Sequence, residues 1–216
     1  EPPHAILFME GHSNDDLLME RVLQHPLHRR HRAKCFLYHD GDDAFPLMRG
    51  VYPSIRAPHC KEGLAMGGVY LARIEENKSV TRARELQVPQ DLLYSFVGAN
   101  NCEVRSSILQ TRAPGTLTID TTGRQSWLLD AQERAKYESE YALVCARSKF
   151  MLSPRGIGPS TYRLYEAMEL GRAPVILADD WVPPPFIPWH EFSIPVPENQ
   201  VHRLPQLLAD QPYGAM

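Results

Sequence analysis

The chain has 216 residues, 43% of them hydrophobic and 23% charged, the composition of an ordinary globular protein that can bury one substantial core or two small ones. Its 23 basic and 26 acidic residues leave a formal charge of −3, so no global positive field gathers nucleic acid or anionic lipid, and any phosphate must be bound locally. No run of the roughly 18 apolar residues that spans a bilayer occurs, and the start, Glu1-Pro2-Pro3-His4, lacks the basic and apolar regions of a secretory signal. The chain reads as soluble, either in the cytoplasm or, with an anchor removed, in the Golgi lumen.

The first elements follow from apolar spacing. His4 to Met9 is an apolar run of strand length, then Gly11-His12-Ser13-Asn14 precedes Leu17, Leu18, Val22 and Leu23 at helical intervals. Ser13 or Asn14 is the expected cap and Pro26 the expected stop. A basic link, Arg29 to Arg32, leads to a second strand, Cys35 to Tyr38, and to the polar turn His39 to Asp43. From Val51 to Gln90 the prolines, the Gly67-Gly68 pair and the charged stretch Arg73 to Glu85 break any long periodicity. A domain boundary is expected near Pro89, dividing a short amino-terminal α/β domain, residues 1–88, from a carboxy-terminal domain, residues 89–216.

Beyond the boundary the pattern is clearer. Leu92 to Val97 predicts a buried strand, Glu103 to Gln110 a short helix and Thr116 to Asp120 another strand. Ala131 to Arg147 predicts an amphipathic helix whose Tyr137, Tyr141, Val144 and Cys145 face a core, and Lys149 to Leu152 a strand. Strands alternating with helices imply parallel, doubly wound sheets. Cys35, Cys60, Cys102 and Cys145 form no CxxC pair, which predicts reduced, mostly buried thiols; His28, His31 and Cys35 lack a fourth ligand at zinc spacing. Trp181 and Trp189 fit an exposed aromatic lip, and buried packing at least as well.

The stretch Phe150 to Leu177 reads as one βαβ unit, with Ser153 to Pro159 as its loop and Ser160 to Leu170 as its helix. Gly156 and Gly158 permit a close turn, Pro159 suits a helix start, Ser160 can cap free amides, and Gly171 can close the helix in the left-handed region. A helix start beyond the carboxyl end of a parallel strand offers unpaired N–H groups and a positive dipole end, where a phosphate fits. Arg155, in the same loop, can neutralise a pyrophosphate without a metal. Leu164, Ala167, Met168 and Gly171 share the core face, while Arg163 and Glu166 fall on another; Glu166 stands roughly 9 Å along the helix from its start, the reach from a pyrophosphate to a ribose. The same residues also fit a plain surface ion pair and a glycine turn that binds nothing.

Ser148-Lys149-Phe150, Pro154-Arg155-Gly156, Gly158-Pro159-Ser160, Tyr162-Arg163-Leu164, Glu166-Ala167 and Gly171 to Ile176 resemble, in order and spacing, the donor-site signature of exostosin-like enzymes, glycosyltransferase family 47. Phe96-Val97-Gly98 with Val104-Arg105 is similar to the family's opening strand and arginine, and Asp179-Asp180-Trp181, Pro185-Phe186 and Trp189 to Phe192 to its closing segment. Similarity is good from Leu92 to Leu208 and weaker across Phe36 to Tyr52. The family's usual cysteine near Met151 to Ser153 is absent, and the region before Pro89 is short for a full acceptor-side domain.

The resemblance implies a GT-B architecture of two Rossmann-like domains and an inverting, metal-independent transfer from a nucleotide diphosphate sugar, a UDP-sugar above all, to a glycan or other sugar acceptor. It implies that Arg105 and Arg155 bind the diphosphate, that Gly156, Gly158, Ser160 and Thr161 cradle it, that Arg163 and Glu166 complete the donor site with Glu166 on the ribose, and that Asp180 orients the donor loop. No cofactor or metal is expected; the nucleotide sugar is a substrate. The general base of an inverting displacement is expected in the amino-terminal domain, where His12 and Asp40 are the candidates and Asp40 is preferred. A degenerate, partner-stabilising protein that binds nucleotide sugar without turnover is the alternative. A phosphosugar hydrolase would need a nucleophile or metal cluster near the loop, and the sequence offers neither.

Overall fold

The computed structural model describes residues 4–10, 16–70, 77–124 and 126–212. His12, Ser13 and Asn14 lie outside the described residues, as do the side chains of Leu17 and Leu18. Two compact units emerge: Glu1–Ile74 with Gly158–Ser160 and Asp180–Ile187, and Glu75–Ile157 with Thr161–Asp179 and Pro188–Met216.

The first unit is built on four parallel strands in sequence order, β1 (Ile6–Glu10), β2 (Cys35–His39), β3 (Gly50–Tyr52) and β4 (Ala65–Gly67). Between β1 and β2 run α1 (Asp16–Gln24) and α2 (Pro26–His31). Pro26 therefore ends one helix and opens the next: it occupies the first turn, where a missing N–H costs nothing, and the preceding His25 Nδ1 accepts from Leu27 N at 3.2 Å. Cys35, Leu37 and Tyr52 pack with Met19, Met48 and Ile55 on one face of the sheet. Leu7, Met9, Phe36 and Met66 are exposed.

The second unit carries five parallel strands, β5 (Leu92–Gly98), β6 (Thr116–Asp120), β7 (Ser148–Pro154), β8 (Ala173–Leu177) and β9 (Ile194–Pro195), in the order β6-β5-β7-β8-β9. Alternation along the strands sends Tyr94, Phe96, Phe150 and Leu152 to one face, and Val97 and Met151 to the other. The first face is covered by α4 (Glu103–Gln110) and α7 (Leu204–Ala209) through Val104, Ile108, Leu204 and Leu208. The second is covered by α3 (Lys78–Glu85), α5 (Ala131–Ala146) and α6 (Tyr162–Glu169) through Val80, Ala142, Ala146 and Ala167. Two buried faces are what an all-parallel sheet requires, so the doubly wound expectation holds here.

Residues 77–88, which the division at Pro89 assigns to the amino-terminal domain, cluster with the second unit, with Val80 and Ala83 of α3 buried in its core. Gly171 adopts φ +63° and its amide donates to Met168 O, the left-handed closure expected of α6. No helix among the described residues is long and apolar enough to cross a membrane.

Candidate functional site

The strand order of the second unit reverses direction at β5, which has β6 on one side and β7 on the other. The carboxyl ends of β5 and β7 therefore flank the topological switch point, where open parallel sheets leave a crevice for ligands. Residues from two loops meet there. Arg105, on the first turns of α4 and 6% exposed, donates Nε to Arg155 O at 2.8 Å, Nη1 to Ala99 O at 3.1 Å and Nη2 to Pro154 O at 3.4 Å. One guanidinium thus ties the chain after β5 to the chain after β7. Arg163, in the first turn of α6, donates Nε to Val97 O at 2.8 Å. Both guanidinium carbons lie over the Phe96 ring, at 5.6 Å for Arg105 and 5.5 Å for Arg163, so the buried aromatic face supplies a cation–π seat for each.

These contacts explain two glycines. A Cβ on Gly98 would sit 2.6 Å from Arg163 Nη2, and one on Gly156 would sit 3.0 Å from Arg105 Nη2. Arg155 is fixed differently: its Nε faces both oxygens of Glu198, at 2.8 and 2.9 Å, and Glu198 in turn accepts from Asp179 N while Asp179 accepts from Glu198 N. Glu198 is a site neighbour that spacing could not single out, because it lies 43 residues beyond its partner. A groove of about 500 Å³ beside it is lined by Glu103, Asp179, Glu198 and His202 among others, and its acidic wall repels an anionic ligand.

At the start of α6 one expectation is corrected. The cap residue is Thr161, not Ser160, and its side chain makes no capping bond; the hydroxyl instead accepts from Arg163 Nη1 at 3.5 Å. At this helix start the Leu164 amide donates to the Thr161 carbonyl at 3.3 Å rather than to a side chain of the cap residue. A second correction concerns Glu166. The second face of α6 is not open: Glu166 is 8% exposed and accepts from Tyr141 Oη at 2.5 Å, because α5 covers that face. Tyr141 belongs to the core as expected, and it is also a polar partner that helical spacing did not reveal. Burial first, then Cys145 and Glu166, hold its phenol proton well above the ordinary range, with Arg163 opposing.

The remaining expected residues lie in the first unit. Gly158 packs so closely that a Cβ would meet Ser54 Oγ at 2.4 Å, and Ser160 N donates to the same Ser54 oxygen at 3.4 Å. Ser160 is buried, and its own hydroxyl meets no hydrogen-bond partner among the described residues. Asp40 follows β2 and is only 1% exposed. Asp180 accepts from Arg56 Nη1 at 3.4 Å, and Arg56 Nε reaches Asp43 at 2.5 Å. Trp181 is buried with its Nε1 on Pro53 O, and Trp189 is buried against Tyr165 and Phe192, so packing rather than an exposed lip describes both indoles. All four cysteines are free thiols, two buried and two half-buried. No cluster of three or more His, Cys, Asp or Glu side chains suited to a metal ion occurs among the described residues.

Two α/β units, each on a parallel sheet, fit a GT-B-like architecture, and the comparisons give that class its family. Residues 70–210, more than half of the chain, match the Exostosin GT47 domain, and the protein belongs to that family. It is 47% identical over 68 residues to a "Probable glucuronosyltransferase" of Oryza sativa subsp. japonica, a match covering 31% of this chain and 16% of that protein. It is 25% identical over 150 residues to the "Exostosin-1 homolog" of Caenorhabditis elegans, covering 62% of this chain and 39% of the relative. A "Probable glucuronoxylan glucuronosyltransferase" of Arabidopsis thaliana is 38% identical over 89 residues, covering 40% and 19%. The chain thus spans well under two thirds of the length of these relatives.

Proposed function

We propose that the chain is the donor-binding part of an inverting, metal-independent glycosyltransferase that transfers a sugar from a nucleotide diphosphate sugar, of the UDP class, to a hydroxyl of a glycan. The observation that carries this reading is the gathering of Arg105, Arg155 and Arg163 at the carboxyl ends of β5 and β7, beside the start of α6. Such a place suits a diphosphate, because the guanidinium groups are held in position by the protein's own carbonyls and Glu198 before a ligand arrives. Arg105 acts by holding the two loops, Arg155 and the α6 amides by contacting phosphate oxygens, and Glu166 by accepting from the ribose.

In the transfer, the acceptor oxygen forms a bond to the anomeric carbon as the bond to the diphosphate oxygen breaks. The acceptor proton passes to a base, and the negative charge stays on the departing nucleoside diphosphate. Arg155 and the helix start stabilise that charge, which is the part of the barrier a metal lowers in other enzymes. UDP-glucuronate is the first donor to try, a choice motivated by the glucuronosyltransferase names of the rice and Arabidopsis relatives.

Arg155→Ala and Glu166→Ala are each expected to weaken binding of a UDP-sugar by about 1.5 to 3 kcal/mol, the worth of a charged hydrogen bond, as read by calorimetric titration. Near-wild-type affinity in both variants would remove the pocket assignment. A second reading, nucleotide-sugar binding without turnover, is favoured by the burial of Asp40, whose carboxylate is 1% exposed and therefore poorly placed to meet an acceptor hydroxyl. That reading expects the same titrations but no nucleoside diphosphate released when sugar acceptors are added.

A further inference from the structure

We infer that Tyr141 is a positioning residue for the nucleoside of the donor, acting through Glu166; the inference rests on the nucleotide-sugar reading above. The Tyr141 hydroxyl of α5 donates to Glu166 Oε2 of α6 at 2.5 Å, and each residue is 8% exposed. A carboxylate in so little solvent has few ways to be oriented except by fixed donors, and the phenol is one, held rigidly by its ring in the core. Arg163, one turn before Glu166 on the same helix, is itself immobilised on Val97 O and the Phe96 ring. The acid thus stands on a helix whose first turn lies at the phosphate site, about 6 Å along the axis from Tyr162.

Packing alone does not call for this pair. The interface of α5 and α6 with the sheet is already filled by Ala142, Ala146, Ala167 and Leu170, and an apolar pair of similar volume would serve stability as well or better. A buried phenol–carboxylate bond is warranted where the carboxylate has something to recognise and its orientation matters. Accepting both ribose hydroxyls is such a task, because two donors on adjacent carbons meet a carboxylate only in one orientation.

The test compares UDP with 2′,3′-dideoxy-UDP on the intact chain, by calorimetry. The unsubstituted protein is expected to prefer UDP about 100-fold, two hydrogen bonds' worth. Tyr141→Phe, which removes only the hydroxyl, is expected to cut that preference about tenfold while leaving affinity for the dideoxy nucleotide unchanged. Glu166→Gln should also cut it, and adding Tyr141→Phe to Glu166→Ala should change nothing further, since one residue acts through the other. The preference is a ratio read on whatever fraction is folded, so a loss of stability in one variant does not disturb it. An unchanged ratio in Tyr141→Phe, or equal weakening of both nucleotides, overturns the positioning role and leaves the nucleotide reading intact. Binding of neither nucleotide by the unsubstituted protein overturns both.

Discussion

Cys145 lies four residues after Tyr141, so the two side chains share one stripe of α5 and one buried environment. Burial, followed by the nearby Glu166 charge, pushes the Cys145 thiol from 9.0 up to about 12. The sign follows from linkage. As pH rises past 9.0 the unfolded thiol loses its proton first, so the unfolded state is favoured progressively until the folded thiol titrates near 12. Tyr141, raised in the same direction, adds to the slope. Melting temperature is therefore expected to fall across this alkaline window, and Cys145→Ala should flatten the fall. A variant as alkali-sensitive as the unsubstituted protein would show that other groups dominate.

At the scale of elements, the helices that frame the candidate site end in ways that local chemistry explains. Asp130 accepts from Gln132 N and Glu133 N, both at 2.9 Å, and so caps α5, the helix that carries Tyr141. Asp130→Ala is expected to destabilise the protein by about 1 kcal/mol in denaturant unfolding, the usual effect of losing an N-cap, with little change in nucleotide affinity. The start of α6 is built differently, since the Thr161 hydroxyl makes no capping bond and instead accepts from Arg163 Nη1. The two starts differ because Asp130 is free to fold back onto its own helix, whereas the Thr161 hydroxyl is engaged by the Arg163 guanidinium.

Across the whole molecule, two units with separate cores each carry an all-parallel sheet, the pair of folds from which GT-B-type chains are made. The proposed diphosphate contacts are guanidinium and backbone N–H groups, which need no cation. Binding of a UDP-sugar is therefore expected to raise the melting temperature equally with and without a chelator, since stabilisation depends only on ligand concentration and affinity. Loss of the shift on adding EDTA would mean that a divalent ion completes the site.

From its amino-acid order alone the chain declared the alternation of strands and helices beyond Leu92, the left-handed close at Gly171 and the loop after β7, because each depends on neighbours within a few residues. The short strands β3, β4 and β9 and the charged helix α3 left too little apolar spacing to be seen, with Val80 and Ala83 as the buried residues of α3. Tertiary structure decided the partners. Arg105 meets a carbonyl 50 residues away, Ser160 a hydroxyl 106 residues away, and Glu166 a phenol 25 residues away. Periodicity marks the apolar face that a helix must bury, but which polar face is also covered, and by what, is settled only when another helix packs over it.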